Sequence, residues 1–463
     1  MTTLLPVQIA ALDTARRKPG FLYAMEMGLG KTLVALTEFL ALVEAKKVSR
    51  LVVICPNSFK GGWASEIAKH AIAVDVHVYD STRHNWAEKW LDNGFAAPPV
   101  LIINYDAMRL SKTKQFIADF CHQRFVMLVC DESIALKGYN TQRTKAIHGM
   151  KHRFVVKRLL TGKPTTQGSH DLWGQLYAID AHRGMNYFAF RNRFCTMGGW
   201  ENRQVTGVKD PEGLRQLLAP IIFDAKKKDW LPGLPAKSYT TRSYTLERPL
   251  LDHYREMEEE FLTWVDNTHG EVMAEIALTK YGKLAQITCG FIHDNDGDPT
   301  WLVKDEDNPR LKLLLEILEG TDSKICIVYR HKFVGRQLER VLRGLTPALI
   351  AGGMSPEEIE KEKTFFNTRS ECRAMLLQVD SSKYGHTLVG TPDDPCHTMI
   401  FFENTYSLET RSQLEDRIHR IGQANACLYI DLIGTEMDAR VIRALQKKEG
   451  VYQALFGDRR EAA

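Results

Sequence analysis

The chain has no apolar run approaching the ~20 residues that a membrane-spanning helix needs. It has no low-complexity segment, no short-period repeat and no CxxC pair. Its nine cysteines (Cys55, Cys121, Cys130, Cys195, Cys289, Cys326, Cys372, Cys396 and Cys427) are scattered and odd in number. That argues against a secreted disulfide framework or a zinc site, and for reduced thiols. From Met1–Leu5 the sequence moves directly into a helical pattern, so no signal peptide is expected. The expected compartment is of the cytosolic type. Strong net charge is missing too: 61 basic against 57 acidic residues leave +4. This decides nothing about nucleic acid, because a phosphate-tracking groove needs local charge.

What is present is an ordinary globular composition, 44% hydrophobic and 25% charged, over 463 residues. That length predicts two or three domains. Short Val/Ile/Leu-rich runs at Phe21–Ala24, Leu51–Cys55, Val76–Tyr79, Val100–Ile103, Phe125–Cys130 and Val155–Thr161 read as strands buried on both faces. Amphipathic stretches such as Thr32–Lys46 and Gly61–His70 lie between them. The alternation recurs later, with strands at Lys324–Tyr329, Ala348–Ile350, Ala374–Val379, Thr398–Glu403 and Cys427–Ile433. Helices are expected there at Pro309–Glu319, Lys332–Leu345, Ser355–Asn367 and Leu408–Ile421. The pattern predicts an α/β chain with two parallel sheets covered by helices. The stretch Asp171–Asp307 breaks it and reads as helical insertions and a connector.

Three segments carry chemistry. Tyr23–Thr32, read YAMEMGLGKT, follows a strand and opens a helix. A triphosphate needs inward-pointing backbone N–H groups, a helix N-terminus and a flexible cation. Met27, Gly28, Leu29 and Gly30 supply the loop, Lys31 can reach the β and γ phosphates, and the Thr32 hydroxyl can hold Mg²⁺. Met25 stands where the strict GxxxxGK[ST] pattern has glycine. Next, Asp131 and Glu132 end an apolar strand, where parallel-sheet enzymes place ligands. One carboxylate can bind Mg²⁺ through water and the other can orient the attacking water. A bare Asp-Glu pair is most often a solvated loop, so this reading leans on the phosphate loop. Last, Arg417 and Arg420 are three apart on an expected helix, a spacing suited to gripping a γ-phosphate. With Glu415 and Asp416 beside them, a solvated charged face is the plainer alternative.

Taken in order, these segments resemble the SWI/SNF-type ATPases of helicase superfamily 2, over roughly residues 4–435. The phosphate loop is similar to the family's DEMGLGKT, and QLEDRIHRIGQ at 413–423 to its QAxDRxHRIGQ. Leu5-Pro6-Val7-Gln8 resembles the segment whose glutamine reads adenine, which places Gln8 there. Residues 51–69 and 103–106 resemble DNA-side motifs, which makes Lys60, Trp63 and Tyr105 candidate DNA contacts. Residues 160–165 with Asp171-Leu172-Trp173 resemble the coupling motif LTGTP…ELW, with Lys163 in place of threonine. Lys227 and Lys228 lie where the family's connector carries a basic run, and Ser381–Leu388 is similar to a reduced motif V that retains Gly385 and Leu388. Ile134 stands where the family usually has histidine. The motifs are most similar to the annealing-helicase branch, in a compact bacterial or phage form.

The resemblance implies two RecA-like lobes. The first, residues 1–222, is the ATP-binding lobe with an insertion about 173–220, and the second, residues 223–463, has a connector and insertion about 223–307. It implies ATP and Mg²⁺ as ligands, with Gln8, residues 27–32 and Gly385 binding nucleotide, and Thr32 and Asp131 holding the metal. Lys31, Asp131, Glu132, Arg417 and Arg420 are the implied catalytic set. The implied partner is double-stranded DNA, including forked or branched forms. A strand-separating or RNA-remodelling helicase is the neighbouring alternative, and a nucleic-acid-binding scaffold without ATPase activity is one from a different class.

Overall fold

The computed structural model describes residues 3–166, 168–198, 204–267, 282–293, 298–379 and 387–456. The chain divides into two compact units, Met1–Pro232 with Lys447–Ala463, and Gly233–Gln446.

The first unit is built on β1 (Gly20–Met25), β2 (Arg50–Cys55), β3 (Asp75–Val78), β4 (Pro99–Asn104), β5 (Val126–Asp131) and β6 (Val156–Thr161). A hairpin, β7 (Cys195–Gly198) and β8 (Gln204–Val208), follows, and then β9 (Ile222–Ala225). The main sheet runs β3-β4-β2-β5-β6-β1-β9 with every pair parallel. Its inner strands are buried on both faces, and the period of two sorts their side chains into separate cores. Leu22 and Ala24 of β1 pack in one core, and Phe21, Tyr23 and Met25 in the other.

The second unit holds β10 (Lys237–Ser243), the hairpin β11 (Phe291–His293) and β12 (Pro299–Trp301), β13 (Lys324–Tyr329), β14 (Ala348–Ile350), β15 (Ala374–Gln378), β16 (Cys396–Phe401) and β17 (Cys427–Ile433). Its sheet, β10-β17-β16-β13-β15-β14, is again parallel throughout. Cys326 and Val328 face one core and Ile325, Ile327 and Tyr329 the other. Each unit is a parallel sheet covered by helices, as the alternation predicts, and so takes the form of the RecA-like lobes that the resemblance implies.

Three expectations need correction. The stretch from Asp171 to Asp307 is not only helical, since it supplies β7–β12. Backbone pairing makes the short β9 the last strand of the first sheet: Leu22–Met25 align with Ile222–Ala225. The first unit therefore runs past residue 222 to Pro232. The helix expected over Leu408–Ile421 stops at Glu415, so Arg417 and Arg420 follow it in turns. Side chains hold the turns that follow: Tyr429 donates its hydroxyl to Glu415 O at 3.0 Å, Arg420 Nε donates to Asp416 O at 2.9 Å, and Gln423 Nε2 donates to Ile418 O at 3.0 Å. These donors act beside the backbone N–H groups of Ile418 and His419, both of which reach Glu415 O, so the carbonyls past the helix end are satisfied without further helical turns.

All nine cysteines are free and buried. Among the described residues no helix is long and apolar enough to cross a membrane. In the second unit a buried carboxylate ties the ends of β13 and β16. Glu403 accepts the backbone N–H of Arg330 and of His331, at 2.8 and 3.0 Å, and meets His331 Nδ1 at 2.6 Å. Burial pushes its pKa up, but the charge and hydrogen bonds of His331 win and hold it at about 2. Because this folded value lies below the ordinary 4.5, the stability it confers is present above pH 4.5 and is lost as pH falls through about 2. Glu403→Gln should cost about 2 kcal/mol at neutral pH. In urea unfolding, the gap from the parent protein should close towards pH 2, and a gap constant with pH would contradict this.

Candidate active site

The site in the first unit forms at the C-terminal edge of its sheet. β1 ends at Met25, residues 26–30 turn, and the helix Lys31–Glu44 begins. The backbone takes positive φ at Gly28 (91°) and Gly30 (77°), where a side chain would be strained. Met25 is the last, fully buried residue of β1 and needs no such freedom, which explains why the first glycine of the usual pattern is dispensable here. Lys31 is buried and its ammonium donates to Met25 O at 2.8 Å, so the cation is drawn in against the loop.

Gln8 lies against the same loop. Its Nε2 donates to Leu29 O at 3.3 Å, while its Oε1 accepts the N–H of Leu5 at 2.9 Å. A Cβ at Gly30 would come within 2.1 Å of that Nε2, so this approach requires glycine. Behind the loop, the helix is pinned by a buried ion pair. Arg158 on β6 donates to both oxygens of Glu38, and Tyr23 donates its hydroxyl to Glu38 Oε2 at 2.8 Å. Breaking one partner of such a pair costs about 3–5 kcal/mol, so the helix start is held firmly.

The acidic pair sits at the end of β5. Asp131 is buried, with Oδ2 accepting Trp63 Nε1–H and Oδ1 accepting the N–H of Glu132, both at 2.9 Å. Burial raises its pKa, opposed by the Trp63 hydrogen bond, the nearby charge of Lys31 and the Glu132 N–H. The influence of Lys31 brings the two sequence-predicted centres into one neighbourhood. Glu132 is half-buried and held in the left-handed region at φ 46°. Thr32 is half-buried at the helix start.

An oxygen set of Thr32 and Asp131 fits Mg²⁺, which takes one or two protein carboxylates and completes its shell with phosphates and water. Among the described residues there is no group of three or more His, Cys, Asp or Glu able to hold a metal ion.

The candidate DNA contacts fare differently. Trp63 and Tyr105 are buried, not presented to solvent. Trp63 holds the Asp131 carboxylate, and the Tyr105 hydroxyl donates to Asp131 O at 2.8 Å. Both are supports of the acidic pair. Lys60 is half-buried and donates to Tyr79 O at 3.0 Å.

In the second unit, Arg417 is fully buried and its carbonyl accepts the N–H of Leu388 at 2.9 Å. Arg420 is half-buried and donates to Thr387 Oγ1 at 2.8 Å. The arginine segment and the end of the motif-V-like segment are thus tied together, while Gly385 lies outside the described residues. Sequence reasoning missed Glu26, whose Oε2 accepts the N–H of Lys227 at 2.7 Å and fastens the connector to the phosphate loop. It also missed Gln175, fully buried below the acidic pair. An isolated Glu or Gln carries no spacing signal.

The chain has relatives among known proteins. The chain is 25% identical over 422 residues to the Drosophila melanogaster SWI/SNF-related matrix-associated actin-dependent regulator of chromatin subfamily A-like protein 1, covering 88% of this chain and 49% of that protein. It is 25% identical over 424 residues to the putative protein p41 of Acyrthosiphon pisum secondary endosymbiont phage 1, covering 86% and 85%. The chain spans about half the length of the first of these curated relatives, but most of the phage protein. A solved Sulfolobus solfataricus SWI2/SNF2 ATPase core in complex with dsDNA aligns over 98% of this chain and 93% of its own, at 20% identity and a TM-score of 0.45. Residues 10–290, more than half of the sequence, match the SNF2-related domain, and the chain belongs to that family.

Proposed function

We propose that this protein is a DNA-dependent ATPase that moves along double-stranded DNA. The observation that carries the reading is the convergence at one sheet edge of a phosphate loop with a buried lysine and a carboxylate kept in hydrogen-bonded register beside it. In this reading the N–H groups of residues 27–32 cradle the phosphates of ATP, Lys31 turns from Met25 O to the β and γ phosphates, and Gln8 contacts adenine. Thr32 and Asp131 would hold Mg²⁺, which when bound would neutralise charge on the phosphate oxygens. Glu132 orients the attacking water. Arg417 and Arg420 belong to the second unit, and assigning them to the γ-phosphate makes hydrolysis depend on both units. Movement on DNA, with annealing, remodelling or displacement of bound protein as its outcome, follows if each unit grips the backbone in turn.

A scaffold without ATPase activity is disfavoured by the intact loop and acidic pair, since a chain that only bound nucleic acid would have no use for Lys31 and Asp131 as placed. A strand-separating or RNA helicase is the alternative that the substrate test addresses.

The test is ATP turnover at fixed salt with no nucleic acid, duplex DNA, branched DNA, single-stranded DNA and RNA. Duplex-containing DNA should stimulate most, and stimulation only by RNA or single strands would overturn the proposal. Lys31→Ala should lower turnover by roughly 10²-fold or more, with the unfolding midpoint little changed. Full activity in that variant would remove the phosphate-loop assignment. Arg420→Ala should lower turnover by roughly 10³-fold with nucleotide affinity largely kept, and an equal loss of both would make it a structural arginine. Trp63→Phe removes the N–H that stabilises ionised Asp131, so the acid limb of the turnover profile should move to higher pH. An unmoved acid limb would show that Asp131 ionisation does not control the rate.

A further inference from the structure

The acidic pair is also supported by Gln175, a residue just past the segment that resembles the coupling motif. Directly after Glu132, the turn Ser133–Leu136 is a single 3₁₀ segment, and the helix Asp171–Ala178 packs onto it. The approach is close: a Cβ at Gly174 would lie 2.1 Å from Leu136 O, so only glycine fits. The next residue, Gln175, is fully buried, and so is Ser133. Ser133 donates its hydroxyl to Gln175 Oε1 at 2.9 Å. The amide nitrogen of Gln175 donates in turn to Pro164 O at 2.7 Å and to Asp171 O at 3.0 Å. One side chain therefore joins the turn after the acidic pair to the loop after β6, with its amide oxygen and both amide hydrogens engaged.

Buried polar bridges of this kind are costly when incomplete and stiff when complete. Here the stiffness has a purpose. Glu132 is held at φ 46°, a conformation that a non-glycine residue keeps only when its neighbours over-determine it. On one side, Asp131 O is held by the Tyr105 hydroxyl. On the other, Ser133 is held by Gln175. We propose that Gln175 and Ser133 are positioning residues for Glu132, fixing the left-handed turn that aims its carboxylate at the attacking water. The inference rests on the ATPase reading and deepens it: Gln175 acts through Ser133 and touches neither nucleotide nor metal.

The experiment measures kcat and KM for ATP in the full chain with saturating duplex DNA. Variants are Gln175→Leu, Ser133→Ala and the double variant. Gln175→Leu should lower kcat roughly fivefold to tenfold, the value of one lost hydrogen bond at the rate-setting group, with KM within about twofold because the phosphate loop is untouched. Ser133→Ala removes a single oxygen and should lower kcat in the same way. The double variant should be no slower than the slower single one, since both remove the same bridge. An unchanged kcat in Ser133→Ala, an equal worsening of KM and kcat, or multiplicative losses in the double variant would each overturn the proposal. If the parent protein fails to hydrolyse ATP, or does so equally well as Lys31→Ala, the ATPase reading itself falls, a distinct result.

Discussion

A carboxylate taken out of water tends to gain a proton, and a group meant to work as an anion at the edge of a buried sheet needs donors around it. Asp131 is in that position. Its two oxygens receive an indole N–H and a backbone N–H, and the ammonium of Lys31 contributes from the neighbouring loop. Much of the first unit can be understood from this requirement. The helix Lys60–Lys69 brings Trp63 in from β2, and Tyr105 arrives from the end of β4. Two aromatic rings with polar tips are suited to this work, because their bodies fill the core while the N–H or O–H reaches the charged strand end.

The same economy of support appears on the other side of the loop. The ion pair of Arg158 with Glu38 locks the helix that starts at Lys31, and it does so between β6 and the middle of that helix, out of reach of the phosphate loop. Stiffness is therefore placed behind the loop, whereas the loop itself turns through two glycines. A rigid frame with a pliant backbone path suits a ligand gripped mainly by N–H groups.

How much of this was legible in the sequence depended on whether a periodic signal existed. The interior strands were readable because burial on both faces makes them continuous apolar runs, and β13 and β17 match their expected limits, as does the short apolar edge strand β14. β9 has only four residues, and β10, KSYTTRS, is an exposed polar edge strand, so neither looks like an interior strand. The helix end before Arg417 was hidden because Tyr429, which takes a carbonyl there, comes from a distant strand. Trp63 and Tyr105 were picked out as special residues, but a one-dimensional pattern does not say whether an aromatic ring points to solvent or inward. Gln175 had no signal because its importance lies in contacts 42 and 11 residues away.

The path of the chain between the units has its own consequence. It leaves the first unit at Pro232 and returns at Lys447, within the helix Glu436–Phe456. On its return Glu449 meets Lys163, the residue just before Pro164. During synthesis, then, the first unit to emerge from the ribosome is the last to be finished, because its closing helix is made only after every strand of the second. A cut at the 232/233 junction would likewise leave part of the first unit attached to the other fragment.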